Sequence, residues 1–194
     1  MPTIRHSTDR VLDAARECVL AVGVRRTTLT DIARRAGTSR MTLYRRYPDV
    51  SALVADLMTR EFGHVLAVAS RAEEPLATAR ARAVAHTVAA VRALHRNPLF
   101  AKVLDVDPEL LLPYLTDRVG STQQQAVAQF TSWLDEGFAD GSIRRGDRTA
   151  MAYSMLLTVQ SYTLSLRVAL SADVDAEAMY GELGHVLDAS LAPS

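Results

Sequence analysis

Apolar residues recur every three or four positions along almost the whole chain, which is the period of an amphipathic α-helix. In the first helical segment they fall at positions 11/12, 15, 18/19 and 22, after Ser7 or Thr8 as N-cap, and Gly23 ends that segment. No window alternates apolar and polar residues cleanly enough to predict a strand. The pattern therefore indicates an all-α protein.

Two short helices follow, joined by a tight turn. The first opens at Thr28, with Asp31 three residues later in an arrangement that resembles a capping box. Gly37 gives the backbone freedom that a turn needs, and Ser39 caps the next helix. Pro48 stops that helix.

The remaining chain reads as a series of longer helices. Asp49 caps one that runs to about Ser70, and Pro75 is placed to open another that reaches about Arg96. Asn97-Pro98 and Asp107-Pro108 then punctuate short helical pieces. Another helix has its apolar stripe at positions 126/127, 130, 133/134 and 137/138, and two more run from about 147 to 170 and from about 175 onward. We predict about nine helices, with residues 1–50 as an N-terminal domain and 51–194 as a C-terminal helical domain.

Composition fits a protein that works in the cytoplasm without a membrane segment. The N-terminal ten residues lack the apolar core of a signal peptide. The uncharged stretch 149–166 carries several Ser, Thr and Gln residues, which suits a helix buried in protein better than one in lipid. Cys18, the single cysteine, lies on an apolar helical stripe, so it is a packing residue or, as the alternative, a redox sensor.

The zero net charge conceals a strong asymmetry. Residues 1–60 hold eleven arginines and six acidic residues, a net charge of +5, and residues 61–194 carry −5. A basic first third points to a polyanion partner at one end of the chain only. The alternative is an ordinary solvated basic surface.

The basic region coincides with the helix, turn and helix of residues 28–47, which has the form of a helix-turn-helix. The second helix would enter the DNA major groove with its N-terminal residues near the base edges. The residues that we predict to contact base edges are Ser39, Arg40, Met41 and Thr42. Those predicted to contact phosphates are Thr28, Tyr44, Arg45 and Arg46. An ordinary helical hairpin with a solvated arginine face remains the alternative.

The segment VRRTTLTDIARRAGTSRMTLYRRYPDVSAL resembles the N-terminal domain of the tetracycline-repressor (TetR) family of transcriptional regulators. That resemblance implies a helix-turn-helix domain followed by a divergent helical domain that binds a small-molecule effector and forms a homodimer. It also implies a palindromic double-stranded DNA operator. Two positions depart from the family pattern: many members have Gly where Met41 stands, and many have a phosphate-binding Lys where Val50 stands.

The resemblance makes the C-terminal domain a candidate effector site. Candidate lining residues are Phe62, Leu66, Phe100, Tyr114, Phe130, Trp133 and Gln160. Such sites are mostly apolar with a few orienting polar groups. Plain core packing is the alternative for each residue taken singly.

The last two helices are predicted to pair with their copies in a second subunit as a four-helix bundle. The predicted contacts are Tyr162, Tyr180, Leu183 and Leu187. A helical hairpin closed within one chain is the alternative.

Motifs of catalysis are lacking in the sequence: the five histidines show no HExxH or HxH spacing, and no cysteine cluster is present. We therefore expect no enzyme, no metal and no cofactor. The leading hypothesis is a repressor that an effector releases from its operator. The alternative is a ligand-binding helical dimer with weak or low-specificity DNA binding.

Overall fold

The computed structural model describes residues 3–69, 76–112, 117, 119–171 and 173–193, with the side chains of residues 3–7, 66, 68 and 69 excepted. Over these residues the chain forms nine α-helices and a 3₁₀ turn at Pro108–Leu111, with no strand. The helices are α1 Thr3–Val22, α2 Leu29–Arg35, α3 Arg40–Arg46, α4 Val50–Ala69, α5 Ala79–His95, α6 Pro98–Val106, α7 Ser121–Asp140, α8 Arg148–Leu170 and α9 Ala176–Leu191. The predicted all-α fold is confirmed.

The chain divides into two compact units. The head unit comprises Met1–Gly63 and Asn97–Arg118, and the body unit comprises His64–Arg96 and Val119–Ser194. This division differs from the predicted boundary at residue 50. Most of α4 and the whole of α6 pack with the first three helices, so the head unit is larger than a three-helix domain.

The head unit is built on a continuous apolar core. Its buried side chains come from α1, α2, α3, α4 and α6, among them Val19, Ile32, Ala33, Leu43, Leu53, Leu57 and Leu99. Polar contacts tie the outer faces together: Arg60 Nη1 lies 2.8 Å from Asp13 Oδ1, and Asn97 Nδ2 donates to Glu61 Oε2 at 3.4 Å. These contacts hold α4 against α1 and α6. Cys18 is buried in the same core, and that burial raises the pKa of its thiol.

The body unit has α5 in contact with α7, α8 and α9. Asp140, at the end of α7, accepts a hydrogen bond from the Ala79 amide at 2.8 Å and so connects that end to the start of α5. Its hydrogen bonds, the one from the Ser142 side chain foremost, lower the pKa of the Asp140 carboxyl. The predicted helix starts near Asp147 and Asp175 agree with the structure, where each of these residues is an N-cap that accepts from the backbone amide three residues later.

Two predicted helix starts are wrong. The fifth helix begins at Ala79 and not at Pro75, because Thr78 is its N-cap and accepts from the Ala81 amide at 3.2 Å; Pro75 itself lies outside the described residues. The first helix begins at Thr3, ahead of the predicted Ser7 or Thr8. None of the helices, as far as the structure describes them, is both long and apolar enough to cross a membrane.

Candidate nucleic-acid interface

A turn with glycine at its centre sets the angle between α2 and α3. Gly37 has φ +62, in the left-handed region that favours glycine, and nothing lies within 4 Å of where a Cβ would stand. The Thr38 amide donates to the Ala33 carbonyl at 3.0 Å, which satisfies a carbonyl at the end of α2. The predicted helix, turn and helix of residues 28–47 are therefore present.

Both helices of the motif have side-chain N-caps. Thr28 Oγ1 accepts from the Asp31 amide at 3.1 Å and donates to Asp31 Oδ2 at 2.6 Å. Its single hydroxyl hydrogen is thereby engaged, so Thr28 would have to release Asp31 before it could donate to a phosphate. Ser39 Oγ accepts from the Thr42 amide at 3.1 Å and lies 2.7 Å from Thr42 Oγ1. One hydroxyl hydrogen of the pair joins these two oxygens, which leaves the other for an outside acceptor.

Helix α3 presents almost all of its side chains to solvent. Leu43 alone among its seven residues is buried, with 2% of its surface exposed, and it anchors the helix to the head core. All eight side chains predicted to bind DNA are exposed: Thr28, Ser39, Arg40, Met41, Thr42, Tyr44, Arg45 and Arg46. A helix that uses one side chain for packing leaves the others for an external partner.

Ion pairing sorts the arginines of the basic region into two groups. Among residues 1–60, the arginines with a carboxylate within 4.0 Å are Arg16, Arg25, Arg34, Arg35 and Arg60. Those whose described side chains have no such carboxylate are Arg10, Arg26, Arg40, Arg45 and Arg46. All three arginines of α3 fall in the second group, so none of them forms an ion pair with a carboxylate of the described residues. Helix α3 thus carries three of the five arginines in that group.

Three contacts fix the end of α3. Arg46 Nη1 donates to Thr8 Oγ1 of α1 at 2.7 Å, and its guanidinium lies 5.3 Å from the centre of the Tyr47 ring. The Tyr47 hydroxyl donates to Asp56 Oδ2 of α4 at 3.0 Å. Burial, together with that hydrogen bond, raises the pKa of Tyr47 to about 12. Arg46 is thus held in place, while Arg40 and Arg45 project freely.

The two positions that depart from the family pattern have opposite environments. Val50, at the start of α4, packs against the head core. Met41 is 79% exposed. Val50 therefore contributes to folding, whereas Met41 is not among the described residues that form the head core or pack against it.

Sequence reasoning missed one residue that supports the interface. Asp107, predicted only as part of a break between helices, is fully buried in the head unit. Its Oδ2 accepts from the Val24 amide at 2.7 Å and its Oδ1 accepts from the Arg25 amide at 3.4 Å. Gly23, at φ +83, leaves room for this carboxylate, because a Cβ there would lie 2.9 Å from Asp107 Oδ2. The contact spans 83 residues, and no local pattern in the sequence could have signalled it.

The candidate effector-site residues are distributed over both units. Phe62 and Phe100 belong to the head unit, while Phe130, Trp133 and Gln160 belong to the body unit. In the body, the Phe130 and Trp133 ring centres are 5.9 Å apart, and those of His86 and Trp133 are 5.7 Å apart. Burial lowers the pKa of His86, with the neighbouring Arg82 charge adding to the effect. Tyr114 and the side chain of Leu66 lie outside the described residues.

Three of the four candidate dimer contacts face the inside of the body unit. Tyr180, Leu183 and Leu187 are each at most 5% exposed, and the Tyr180 hydroxyl is 3.0 Å from His95 Nδ1 of α5. His95 Nε2 lies 3.2 Å from the Thr163 carbonyl oxygen, and burial lowers the pKa of the His95 ring. Tyr162 is half-buried. The face of α9 that carries Leu183 and Leu187 is therefore occupied within the chain.

Exposed apolar residues lie instead on another part of the body surface. On α8 these are Tyr153, Leu157, Val168 and Leu170, with 39%, 64%, 72% and 38% of their surface exposed. The spacing of Tyr153, Leu157 and Val168 places these three on one side of that helix. Val186 of α9 is 45% exposed.

The fold and the exposed basic helix define the class of protein: a helix-turn-helix DNA-binding regulator with an additional helical unit. In the described part of the chain, no group of His, Cys, Asp or Glu residues could hold a metal ion. Residues 11–57 match the model of the tetR family of bacterial regulatory proteins. An uncharacterized HTH-type transcriptional regulator of Mycobacterium tuberculosis is 36% identical over 183 residues, which cover 94% of this chain and 93% of that protein. The chain belongs to the tetR family of transcriptional regulators and is not an enzyme.

Solved structures show the same fold. The transcriptional regulator FadR from Bacillus subtilis, in complex with stearoyl-CoA, has a TM-score of 0.67 at 18% identity, over 94% of this chain and 98% of that one. A TetR-family transcriptional regulator from Haemophilus influenzae has a TM-score of 0.61 at 10% identity, over 99% and 100% of the two chains.

Proposed function

We propose that this protein is a repressor that binds a palindromic operator as a homodimer in the cytoplasm and is released by a small-molecule effector. One observation carries the DNA-binding part: α3 exposes six of its seven side chains and holds three arginines without a carboxylate partner. A negatively charged partner with a groove that accepts a helix would contact the exposed side chains and neutralise the arginines. DNA is such a partner, because its major groove admits an α-helix between phosphates.

The described environments of the two terminal arginines of α3 support different roles for them. Arg40 is the first helical residue and is exposed, so it can reach a base edge and donate two hydrogen bonds to guanine. Arg46 is bound to Thr8 at the other end of the helix, where the phosphates flank the groove. We therefore expect Arg40 to select sequence and Arg46 to supply affinity for any sequence.

The test is a titration of the full chain against DNA selected from a random pool, followed by fluorescence anisotropy at several salt concentrations. Arg40→Ala should cost about 1–3 kcal/mol on the selected site and relax the preference at one base position. Arg46→Ala should weaken binding to selected and scrambled DNA alike and reduce the salt slope by about one. Arg35→Ala is the matched control, because Arg35 is exposed but already paired with Glu17 at 2.8 Å. Equal losses for Arg35→Ala and the two α3 variants would refute these roles.

The homodimer is supported by the exposed apolar side of α8. Tyr153, Leu157 and Val168 would be covered if two body units met along that helix, and Val186 of α9 would extend the contact. Leu183 and Leu187 would then support the interface from within the protomer and would not cross it.

The proposed effector site lies in the body unit. The aromatic cluster of Phe130, Trp133 and His86 supplies an apolar surface with one titratable group in the body unit. The B. subtilis relative was solved with stearoyl-CoA, an acyl thioester with a long apolar chain. Apolar carboxylic acids and their thioesters are therefore the first class to screen. An effector releases DNA only through a higher affinity for the DNA-free state.

A second function, a ligand-binding dimer with low DNA specificity, is favoured by Val50. This residue packs against the head core. It stands where many members of the family have a phosphate-binding lysine. Comparable affinity for selected and random DNA in the titration above would support this function over sequence-specific repression.

A further inference from the structure

Met41 is the most exposed large apolar side chain in the described part of the chain. It has 79% of its surface in contact with solvent, and it follows Arg40 and precedes Thr42, which are both exposed. The head core is complete without it, because Leu43 makes the contact between α3 and the core. Folding therefore gives no reason for an apolar side chain at this position.

Its place on the helix puts Met41 where bases are read. Ser39 is the N-cap, so Met41 is the second residue of α3 and lies in the first turn. In a helix-turn-helix the first turn of the second helix approaches the base edges. Tyr44, three residues later on the same side of the helix, is 52% exposed. The two form an apolar strip with Arg40 and Arg45 beside it.

The major groove offers one apolar group to such a strip. The base edges present hydrogen-bond donors and acceptors there, and thymine adds its C5-methyl group. Methionine is unbranched and polarizable, so its thioether can adapt to a methyl group without a fixed rotamer. Contact would remove both apolar surfaces from water.

We infer that Met41 is a specificity-determining residue that reads the C5-methyl of a thymine in each half-site. The inference rests on the DNA-binding surface proposed above and adds the base that this residue selects. Thr42 also carries a methyl group in the first turn and is the competing reader of the same thymine.

The experiment replaces each thymine of the selected site, one at a time, with deoxyuridine. The substitution keeps base pairing and every hydrogen-bonding atom and removes only the methyl group. The full-length wild-type chain should lose about fourfold in affinity at one thymine of each half-site and little elsewhere. In Met41→Ala that loss should disappear, while Thr42→Ser, which keeps the hydroxyl and lacks the methyl, should retain it. Circular dichroism of each variant checks that the helices are intact.

Each outcome decides the inference. A deoxyuridine penalty that vanishes in Met41→Ala and persists in Thr42→Ser supports it. A penalty that persists in Met41→Ala, or one that vanishes only in Thr42→Ser, overturns it. Sequence-specific binding with no penalty at any thymine also overturns it but leaves the proposed function standing. If the wild-type chain binds no DNA sequence preferentially, the proposed function itself fails.

Discussion

Removal of the Asp107 carboxylate tests how the head unit supports its DNA-binding helices. Asp107→Ala leaves the Val24 amide, now bonded at 2.7 Å in a buried position, without an acceptor. A buried donor left without a partner costs about 1–3 kcal/mol, and a bond to a charged group is at the upper end of the range. The longer bond from the Arg25 amide, at 3.4 Å, adds little. We expect Asp107→Ala to lower the free energy of unfolding of the head by about 2–3 kcal/mol.

Two control variants separate the buried hydrogen bond from the nearby ion pairs. Asp107→Asn keeps an oxygen that can accept from Val24, so it should cost about 1 kcal/mol. Glu109→Ala removes the contact between Glu109 Oε1 and Arg25 Nη2 at 2.7 Å, but the Arg25 side chain is 68% exposed. Exposed pairs of this kind contribute about 0–1 kcal/mol, so Glu109→Ala should be nearly neutral.

The assay is hydrogen exchange across a urea series, followed on peptides from residues 11–36. These peptides report the head alone, whereas the single tryptophan, Trp133, lies in the body. Faster opening of the head in Asp107→Ala than in Glu109→Ala is the expected result. Equal opening free energies for these two variants would show that the Val24 bond contributes nothing measurable, and the reasoning would be refuted.

Three further predictions concern pH, assembly and effector binding. The pKa of Tyr47 rises from its ordinary value of 10.0 to about 12, so the folded state favours the neutral phenol. The stability that this shift supplies is complete below pH 10 and is lost between pH 10 and 12. In urea melts at these pH values, Tyr47→Phe should therefore lose less stability than the wild-type chain. Leu157→Glu should convert a dimer to monomers in sedimentation-velocity runs, while Ala139→Glu, an added charge at an exposed position of α7, should leave assembly unchanged. Binding of an apolar effector should alter the fluorescence of buried Trp133 over the concentrations that release DNA; DNA release with unchanged Trp133 emission would place the effector elsewhere.

Local patterns in the sequence were sufficient for most of the secondary structure. Thr28, Ser39 and Asp49 act as helix caps, as predicted, because a cap depends on a side chain and an amide two or three residues away. Asp147 and Asp175 cap the two helices whose starts were predicted near them. The start of α5 was misplaced because Pro75 gave a helix signal and Thr78, the actual cap, is a weaker one in isolation. The exposed face of α3 was also predictable, since one apolar residue per turn fixes which side is buried.

Contacts between distant segments determined the rest. The sequence shows eleven arginines in residues 1–60, but only the folded chain decides which of them meet a carboxylate, because partners such as Arg35 and Glu17 lie on different helices. Likewise, an apolar stripe on α9 shows that Leu183 and Leu187 are covered without showing whether the cover is α5 or a second subunit. Asp107 is the clearest case, since the amide that donates to its carboxylate belongs to Val24, 83 residues away. Sequence alone thus determined the helices and the class of protein, whereas tertiary packing decided which charges and apolar surfaces remain for partners.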